Sequence, residues 1–349
     1  MMDDYASRGY LSVGEVAAYL GISVREVHKL ARGDALKSYK STSGQYRFTL
    51  AEVKKVALPK SAGRARAKSA KVGAVSVLRV RGTEQKLYRA DARRMAAIED
   101  ESVHLCITSP PYFNAKMYSK DAAGDLGNIH DLDEWFAETG KVWTEVFRVL
   151  QSGRKFFLNI MNLPVRNNNS YRTLNLVGKS IDLCEDIGFV FKRDIIWHKT
   201  NGVRAHFGTY PYPGGILLNN MHEFILEFHK MEKSGVKKYG HVSKRQKEES
   251  KLDRDFWLSL KNSDVWLMKP EKSRENRPHV APFPFELPSR LIKAYSFVGE
   301  TILDPFCGSG TTLRAAALEN RNGVGYELNK EFLQYAKRQL ELENGQLIN

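Results

Sequence analysis

Two kinds of hydrophobic pattern divide this chain. Over residues 10–57 apolar positions recur at helical spacing, Val13, Val16, Ala17 and Leu20, then Ile22, Val27 and Leu30, which puts one apolar face on each of two short helices. Each helix opens on a capping-box pattern, Ser12 with Glu15 and Ser23 with Glu26, and Gly21 makes the turn between them. The spacing predicts helices ending at Leu20 and at about Arg32. Two short strands follow, 37–41 and 45–49, joined by a turn at Ser43-Gly44, and Thr49 caps a last short helix over 50–56. From about Val75 the pattern changes to short continuous apolar runs separated by helical stretches. Strands are predicted at 103–108, 155–160, 189–197, 223–229, 301–304 and 322–326, with helices at 174–187 and 310–319. Such alternation predicts an α/β core around a mainly parallel sheet. Residues 231–278 are polar, lysine-rich and poor in strand signals, and read as an insertion or binding element.

Length and charge sharpen this picture. With 349 residues the chain can build one large core and a small satellite domain. The expected division is a domain over 1–58, a linker over 59–74 and a core over 75–349. From Lys54 to Arg81 every charged side chain is basic, and 59–74 lacks a hydrophobic period, as a solvated tether or a phosphate-touching linker would. The formal net charge of +14 points to a polyanionic partner, nucleic acid first. No stretch is apolar and long enough to span a bilayer, and Met1-Met2-Asp3-Asp4 leads into no apolar signal region, so a cytoplasmic protein without a membrane partner is expected. Three scattered cysteines, Cys106, Cys184 and Cys307, fit neither a disulfide framework nor a zinc site. The nine histidines form no metal-ligand cluster in sequence, so no metal is expected.

Two segments carry candidate chemistry. In the first, the apolar strand 103–108 runs into Ser109-Pro110-Pro111-Tyr112. Two prolines stiffen the turn and remove two N–H donors. A Ser hydroxyl and backbone carbonyls are left as acceptors beside an aromatic ring. An exocyclic amine of a base needs that combination, because its lone pair is delocalised into the ring. Acceptors on its N–H bonds favour a tetrahedral nitrogen, and the aromatic face can stack on a base flipped from the duplex. By itself the segment also reads as an ordinary proline turn.

The second segment, Thr301 to Thr312, is a strand, a loop with Gly308 and Gly310, and a helix start. The glycines permit close backbone approach to a ligand. No Lys follows them, so this is no Walker loop, and Leu313 stands where a dinucleotide fingerprint has its third glycine. One helix and one strand later comes Glu327, placed to take both hydroxyls of a ribose.

Together these segments resemble the amino-methyltransferases of bacterial restriction-modification systems, over about residues 85–335. The likeness extends to His279 through Pro288, Asp194 through Lys199 and His222 through Lys230. The catalytic loop precedes the cofactor loop, the order of the beta class. The resemblance implies a Rossmann-like methyltransferase fold and S-adenosyl-L-methionine as cofactor, held by Asp91, Thr108, Phe283, Asp304, Phe306, Gly308, Ser309, Gly310, Thr311 and Glu327. It implies Ser109, Pro110, Pro111 and Tyr112 as the catalytic set. It also implies double-stranded DNA as substrate, and leaves open a cognate restriction endonuclease and a homodimer as partners. Serine at the head of the loop favours N4 of cytosine, with N6 of adenine as the alternative. An inactive core serving a DNA-binding regulator, or an enzyme acting on RNA or a protein amide, remain as other classes.

The first 58 residues resemble the winged helix-turn-helix of excisionase and MerR-type domains. That likeness makes the second helix the recognition helix, with Arg25, His28, Lys29 and Arg32 on its polar face, and puts Lys40 and Arg47 in the wing. The beta-class order makes 231–278 the candidate target-recognition region, where Lys237, Lys238, Lys244 and Arg245 are candidate phosphate contacts. Each of these also reads as a solvated surface residue.

Overall fold

The computed structural model describes residues 10–20, 22, 24–33, 35–40, 46–49, 52–53, 56, 74–113, 124–167, 170–200, 218–232, 239–271 and 283–345. The N-terminal unit follows its sequence pattern. Strand β1 (Leu11–Ser12) leads into α1 (Val13–Leu20) and α2 (Val24–Arg32), followed by β2 (Tyr39–Lys40) and β3 (Tyr46–Phe48) in a small antiparallel sheet of order β1-β3-β2. The first capping box forms as expected. Ser12 N–H donates to Glu15 (2.7 Å) and Glu15 N–H to Ser12 Oγ (3.3 Å). The cap at Ser23 lies outside the described residues. Thr49 Oγ1 accepts from Glu52 N–H (3.3 Å). Val13, Val16, Val27, Leu36 and Phe48 close one small core.

In the larger unit β4 (Val75–Val80) and β5 (Thr83–Tyr88) form a hairpin. Next come β6 (Val103–Thr108), α3 (Leu132–Val149) and β7 (Leu150–Ile160), then a small ribbon of β8 (Leu163–Asn167) with β9 (Ser170–Leu174). They are followed by α4 (Leu176–Ile187), β10 (Val190–Lys199) and β11 (His222–His229). Two short helices, α5 (Lys244–Glu249) and α6 (Arg254–Asn262), precede β12 (Val265–Met268), and α7 (Glu286–Tyr295) precedes β13 (Thr301–Asp304). Helix α8 (Thr311–Leu318), β14 (Asn322–Tyr326) and α9 (Lys330–Gly345) complete the unit. Among the described residues the main sheet has nine strands, in the order β12-β10-β11-β7-β6-β13-β14-β5-β4. Its centre, from β7 to β5, is wholly parallel.

Strands β6 and β13 lie side by side with Leu105 opposite Ile302 and Cys106 opposite Leu303. From β6 the chain turns through α3 to β7 on one side, and from β13 it turns through α8 to β14 on the other. Connections that diverge from neighbouring parallel strands leave a crevice beyond their carboxyl ends. The layers on either side of the sheet are apolar. Trp135, Trp143, Val146 and Phe156 pack on one face, and Leu287, Leu291 and Ile292 of α7 on the other. No described helix is long and apolar enough to cross a membrane.

The strands predicted at 103–108, 301–304 and 322–326 coincide with β6, β13 and β14. Residues 75–88, where the sequence pattern gives no strand, form a hairpin at the sheet edge, with buried Thr83 and Gln85 alternating with partly exposed Glu84 and Lys86 on β5. One expectation needs correction. Part of 231–278 is not an insertion, since β12 pairs in parallel with β10 and closes the opposite edge of the main sheet.

Candidate active site

The crevice at the ends of β6 and β13 opens into a cavity lined from both loops. Its walls come from both halves of the sheet. From the β6 side they include Ser109, Pro110, Pro111 and Tyr112, and from the β13 side Asp304, Phe306, Ser309, Thr311 and Glu327. Asp91 after β5 and Phe283 before α7 line it as well. Two loops 196 residues apart in sequence therefore share one pocket, bridged at their bases by Thr108 Oγ1 donating to Asp304 (2.6 Å).

The proline loop is anchored from behind. Trp135, buried on α3, donates its indole N–H to the Pro111 carbonyl (3.2 Å). Ser109 Oγ has no hydrogen-bond partner among the described residues and lines the cavity. Tyr112 is buried and donates its hydroxyl to Glu223 (2.6 Å).

The glycine loop is organised by two carboxylates with separate tasks. Asp304 is buried, and its oxygens accept from Thr108 Oγ1, from Phe306 N–H (3.1 Å) and from Thr312 Oγ1 (2.6 Å). Burial pushes its pKa up to about 6, against the lowering effect of those three bonds. With its acceptors used internally, Asp304 shapes the loop. Glu327 accepts from Gly308 N–H (3.0 Å) and Asn329 N–H (2.7 Å) at the cavity wall. Burial raises its pKa to about 7, again opposed by the two backbone bonds. Gly308 and Gly310 both have positive φ, 48° and 81°, a conformation that side chains disfavour. A Cβ at 310 would also lie 2.8 Å from that of Ala336 on α9. Thr108, Gly308 and Gly310 thus stand behind the wall and set its shape.

Asp91 is held by Arg93, whose guanidinium grips both carboxylate oxygens (2.6–3.0 Å), pairs with Glu138 of α3 and donates to the Gly124 carbonyl (3.1 Å). Asp125, Leu126, Asn329 and Phe332 also line the cavity, and sequence reasoning did not single them out. For Asn329 a signal existed. Its side chain accepts from Glu331 and Phe332 N–H, a helix cap that also fixes where Phe332 falls. Asp125 and Leu126 reach the pocket only through tertiary packing.

Residues 103–338 match the DNA methylase family of N6 and N4 methyltransferases. The chain belongs to that family. It is a DNA methyltransferase by membership, and residues 10–58 match a helix-turn-helix domain. Among its relatives is the Type II methyltransferase M.MjaI of Methanocaldococcus jannaschii, 33% identical over 71% of this chain and 88% of M.MjaI. A Thermus thermophilus protein described as a putative DNA modification methylase, solved with S-adenosyl-L-methionine, is 32% identical over 74% of this chain and 93% of its own, with a TM-score of 0.59. The cytosine-N4-specific PvuII methyltransferase shares the fold, with a TM-score of 0.54 and 17% identity over 75% of this chain and 92% of its own.

The candidate DNA contacts of this methylase fall into distinct settings. Lys29 and Arg32 are exposed, one turn apart on α2. His28 is turned inward. It is partly buried against the Tyr46 ring (centroids 5.6 Å), and burial, then the nearby Arg32 charge, lowers its pKa. Arg47 is partly buried and donates to the Tyr46 carbonyl (3.3 Å). The side chains of Arg25 and Lys40, and residues Lys237 and Lys238, lie outside what is described. Lys244 and Arg245 are on α5, where Gln246 donates to the Val298 carbonyl (3.1 Å) and Ser250 Oγ accepts from Val298 N–H (2.9 Å). Val298 precedes β13, so α5 sits at the end of the sheet opposite the cavity. Arg245 is paired there with Glu249 (2.6 Å). Lys244 and Arg245, candidate phosphate contacts, thus lie away from the cavity.

At that same far end His104, His241 and Glu300 bring three ligand-type atoms within 4.8 Å. The Arg154 guanidinium is already among them, paired with buried Glu300 and 3.0 Å from His241. His104 accepts from Thr301 N–H (3.1 Å), and burial lowers its pKa to about 4. The cluster holds a cation made of protein.

Proposed function

We propose that this methylase transfers a methyl group from S-adenosyl-L-methionine to the exocyclic N4 of cytosine in duplex DNA. The observation that carries the reading is the single cavity walled by Ser109–Tyr112 and by the Asp304–Thr311 loop with Glu327. The fit to the cofactor rests on the glycine conformations, the aromatic walls at Phe283 and Phe306, and the Glu327 carboxylate beside them. When bound, the cofactor supplies a methyl carbon made electrophilic by its sulfonium. Glu327 accepts from the ribose hydroxyls, and Gly308 and Gly310 let the backbone come close. Asp304 keeps that loop in shape through Thr108, Thr312 and Phe306 N–H.

Ser109 Oγ and the Pro110 carbonyl accept from the target amine. The Pro111 carbonyl is already engaged by Trp135, which leaves the Pro110 oxygen for this task. Tyr112 stacks on the flipped base. Catalysis is then positioning and exclusion of water. The serine that opens the loop supports cytosine over adenine, through the family resemblance. The helix-turn-helix adds a second DNA contact through Lys29 and Arg32. Incubation with duplex DNA and labelled cofactor, digestion to nucleosides and mass spectrometry test the reading. N4-methylcytosine is the expected product. N6-methyladenine would move the target to the other base, and no methylated nucleoside would overturn the reading.

A further inference from the structure

Beneath Tyr112 lies a polar cluster that the proposed chemistry does not use. Glu223 lies at the start of β11, beside the carboxyl ends of the parallel strands, and is buried. One carboxylate oxygen accepts from Tyr112 Oη (2.6 Å) and from Asn159 Nδ2 (2.6 Å), and the other faces Lys199 Nζ (2.6 Å). Asn159 lies at the end of β7 and Lys199 at the end of β10, so three neighbouring strands converge on one carboxylate. Three donors, one of them cationic, surround the Glu223 carboxylate. Its oxygens accept from all three, and the phenol donates. A charge-assisted O–H···O⁻ bond is short and directional, and because a phenol O–H prefers to lie in the plane of its ring, the bond biases the plane of a ring that is also a wall of the cavity.

We infer that Glu223 is a positioning residue, one that sets the plane of Tyr112 for stacking on the target base, with Lys199 and Asn159 holding the carboxylate in place. The inference rests on the assignment of Tyr112 to the target base in the proposed function. The hydroxyl proton is directed at Glu223, so Tyr112 presents its ring face to the base and no donor. The negative charge behind the hydroxyl also enriches the ring, which strengthens its attraction for a nearby cation.

A double-mutant cycle on the full chain tests this. Tyr112→Phe removes one hydroxyl and leaves the Glu223 contacts with Lys199 and Asn159 whole, so the fold is not at risk. Glu223→Gln keeps the side-chain shape and removes the charge. Each single variant is expected to lower kcat on the order of tenfold while the Kd for S-adenosyl-L-methionine stays within about twofold. When Tyr112→Phe is already present, Glu223→Gln is expected to lower kcat no further, because the link it acts through is gone. An equal loss from Glu223→Gln in both backgrounds would give Glu223 a merely structural role and overturn the inference. If Glu223→Gln does not fold, Tyr112→Phe decides alone, and an unchanged kcat refutes it. A wild-type protein without methyl transfer would instead sink the proposed function, so the two failures are distinguishable.

Discussion

Glu327→Gln separates the proposed cofactor role of this carboxylate from its effect on the fold. In the free protein burial raises the Glu327 pKa from 4.5 to about 7. A shift of that size corresponds to about 3 kcal/mol between the protonation states. The sign follows from linkage. The folded state holds this proton more tightly than the unfolded chain, so the free protein gains stability as pH falls from about 7 to 4.5, and loses it as pH rises through that window. Above pH 7 the charged carboxylate is therefore a burden on the free protein. Ribose hydroxyls donating to it would relieve that burden and favour the charged form, so binding should release a proton below pH 7. Hydrogen bonds to charged groups contribute about 1.5–3 kcal/mol each. Glutamine retains one acceptor, so a loss of about 2–3 kcal/mol is expected, on the order of 30- to 150-fold in Kd at pH 8. Meanwhile the free variant should melt no lower than wild type at that pH. Its gain from losing the charge is offset in part because the new amide N–H₂ faces the N–H of Gly308 or Asn329, each now supplied by a carboxylate oxygen.

Calorimetric titration between pH 6 and 8.5, in buffers of different ionisation enthalpy, measures both terms. Wild-type affinity should weaken as pH falls below 7, with proton release, and the variant should lose that dependence. Asp304, with its pKa near 6, is present in both proteins, as is any titration of the ligand itself, so the difference isolates Glu327. A variant that binds within about threefold of wild type at pH 8, or that keeps the wild-type pH dependence, would refute the ribose assignment.

Ser109→Ala should lower kcat by about 10²- to 10³-fold while leaving cofactor affinity nearly unchanged, as measured by single-turnover methylation and titration; unaltered turnover would remove Ser109 from the mechanism. Gly310→Ala should destabilise the protein by about 1–3 kcal/mol, because φ is 81° and the new methyl meets Ala336; denaturant midpoints report it, and a neutral result would argue against the loop conformation. The double change Lys29→Ala with Arg32→Ala should weaken DNA binding without base preference and reduce the salt-dependence slope by up to about 2; an unchanged slope in a salt series would take α2 off the phosphates.

The parts of the fold legible in sequence are those where burial is uniform. Strands β6, β13 and β14 are buried nearly throughout, so they read as continuous apolar runs ended by proline, glycine or acid. Strand β5 escaped notice because Thr83 and Gln85 point inward. Thr83 Oγ1 donates to the Val80 carbonyl and Gln85 Nε2 to Thr83 Oγ1 and the Arg321 carbonyl, a tertiary arrangement no pattern announces. Strand β12 was hidden by its edge position, where Val265 and Leu267 stay exposed. At the site, the motif residues were readable because rigid turns demand particular residue types. Asp125 and Leu126 were not, since a cavity wall only needs to be nearby. The polar side chain of His28 suggested a helix surface, yet its ring is spent on Tyr46.

The meeting of β6 with β13 has a consequence for how such a protein changes over generations. The two halves meet along the strand register, the Thr108–Asp304 bond and a shared core that includes Trp143 against Phe306, while the polar groups facing the cavity come from separate loops. A mutation that retunes which base is accepted therefore leaves the hydrogen bonds around Glu327 alone, and one that retunes the methyl donor leaves the proline loop alone. Descendants can alter one preference while inheriting the other intact.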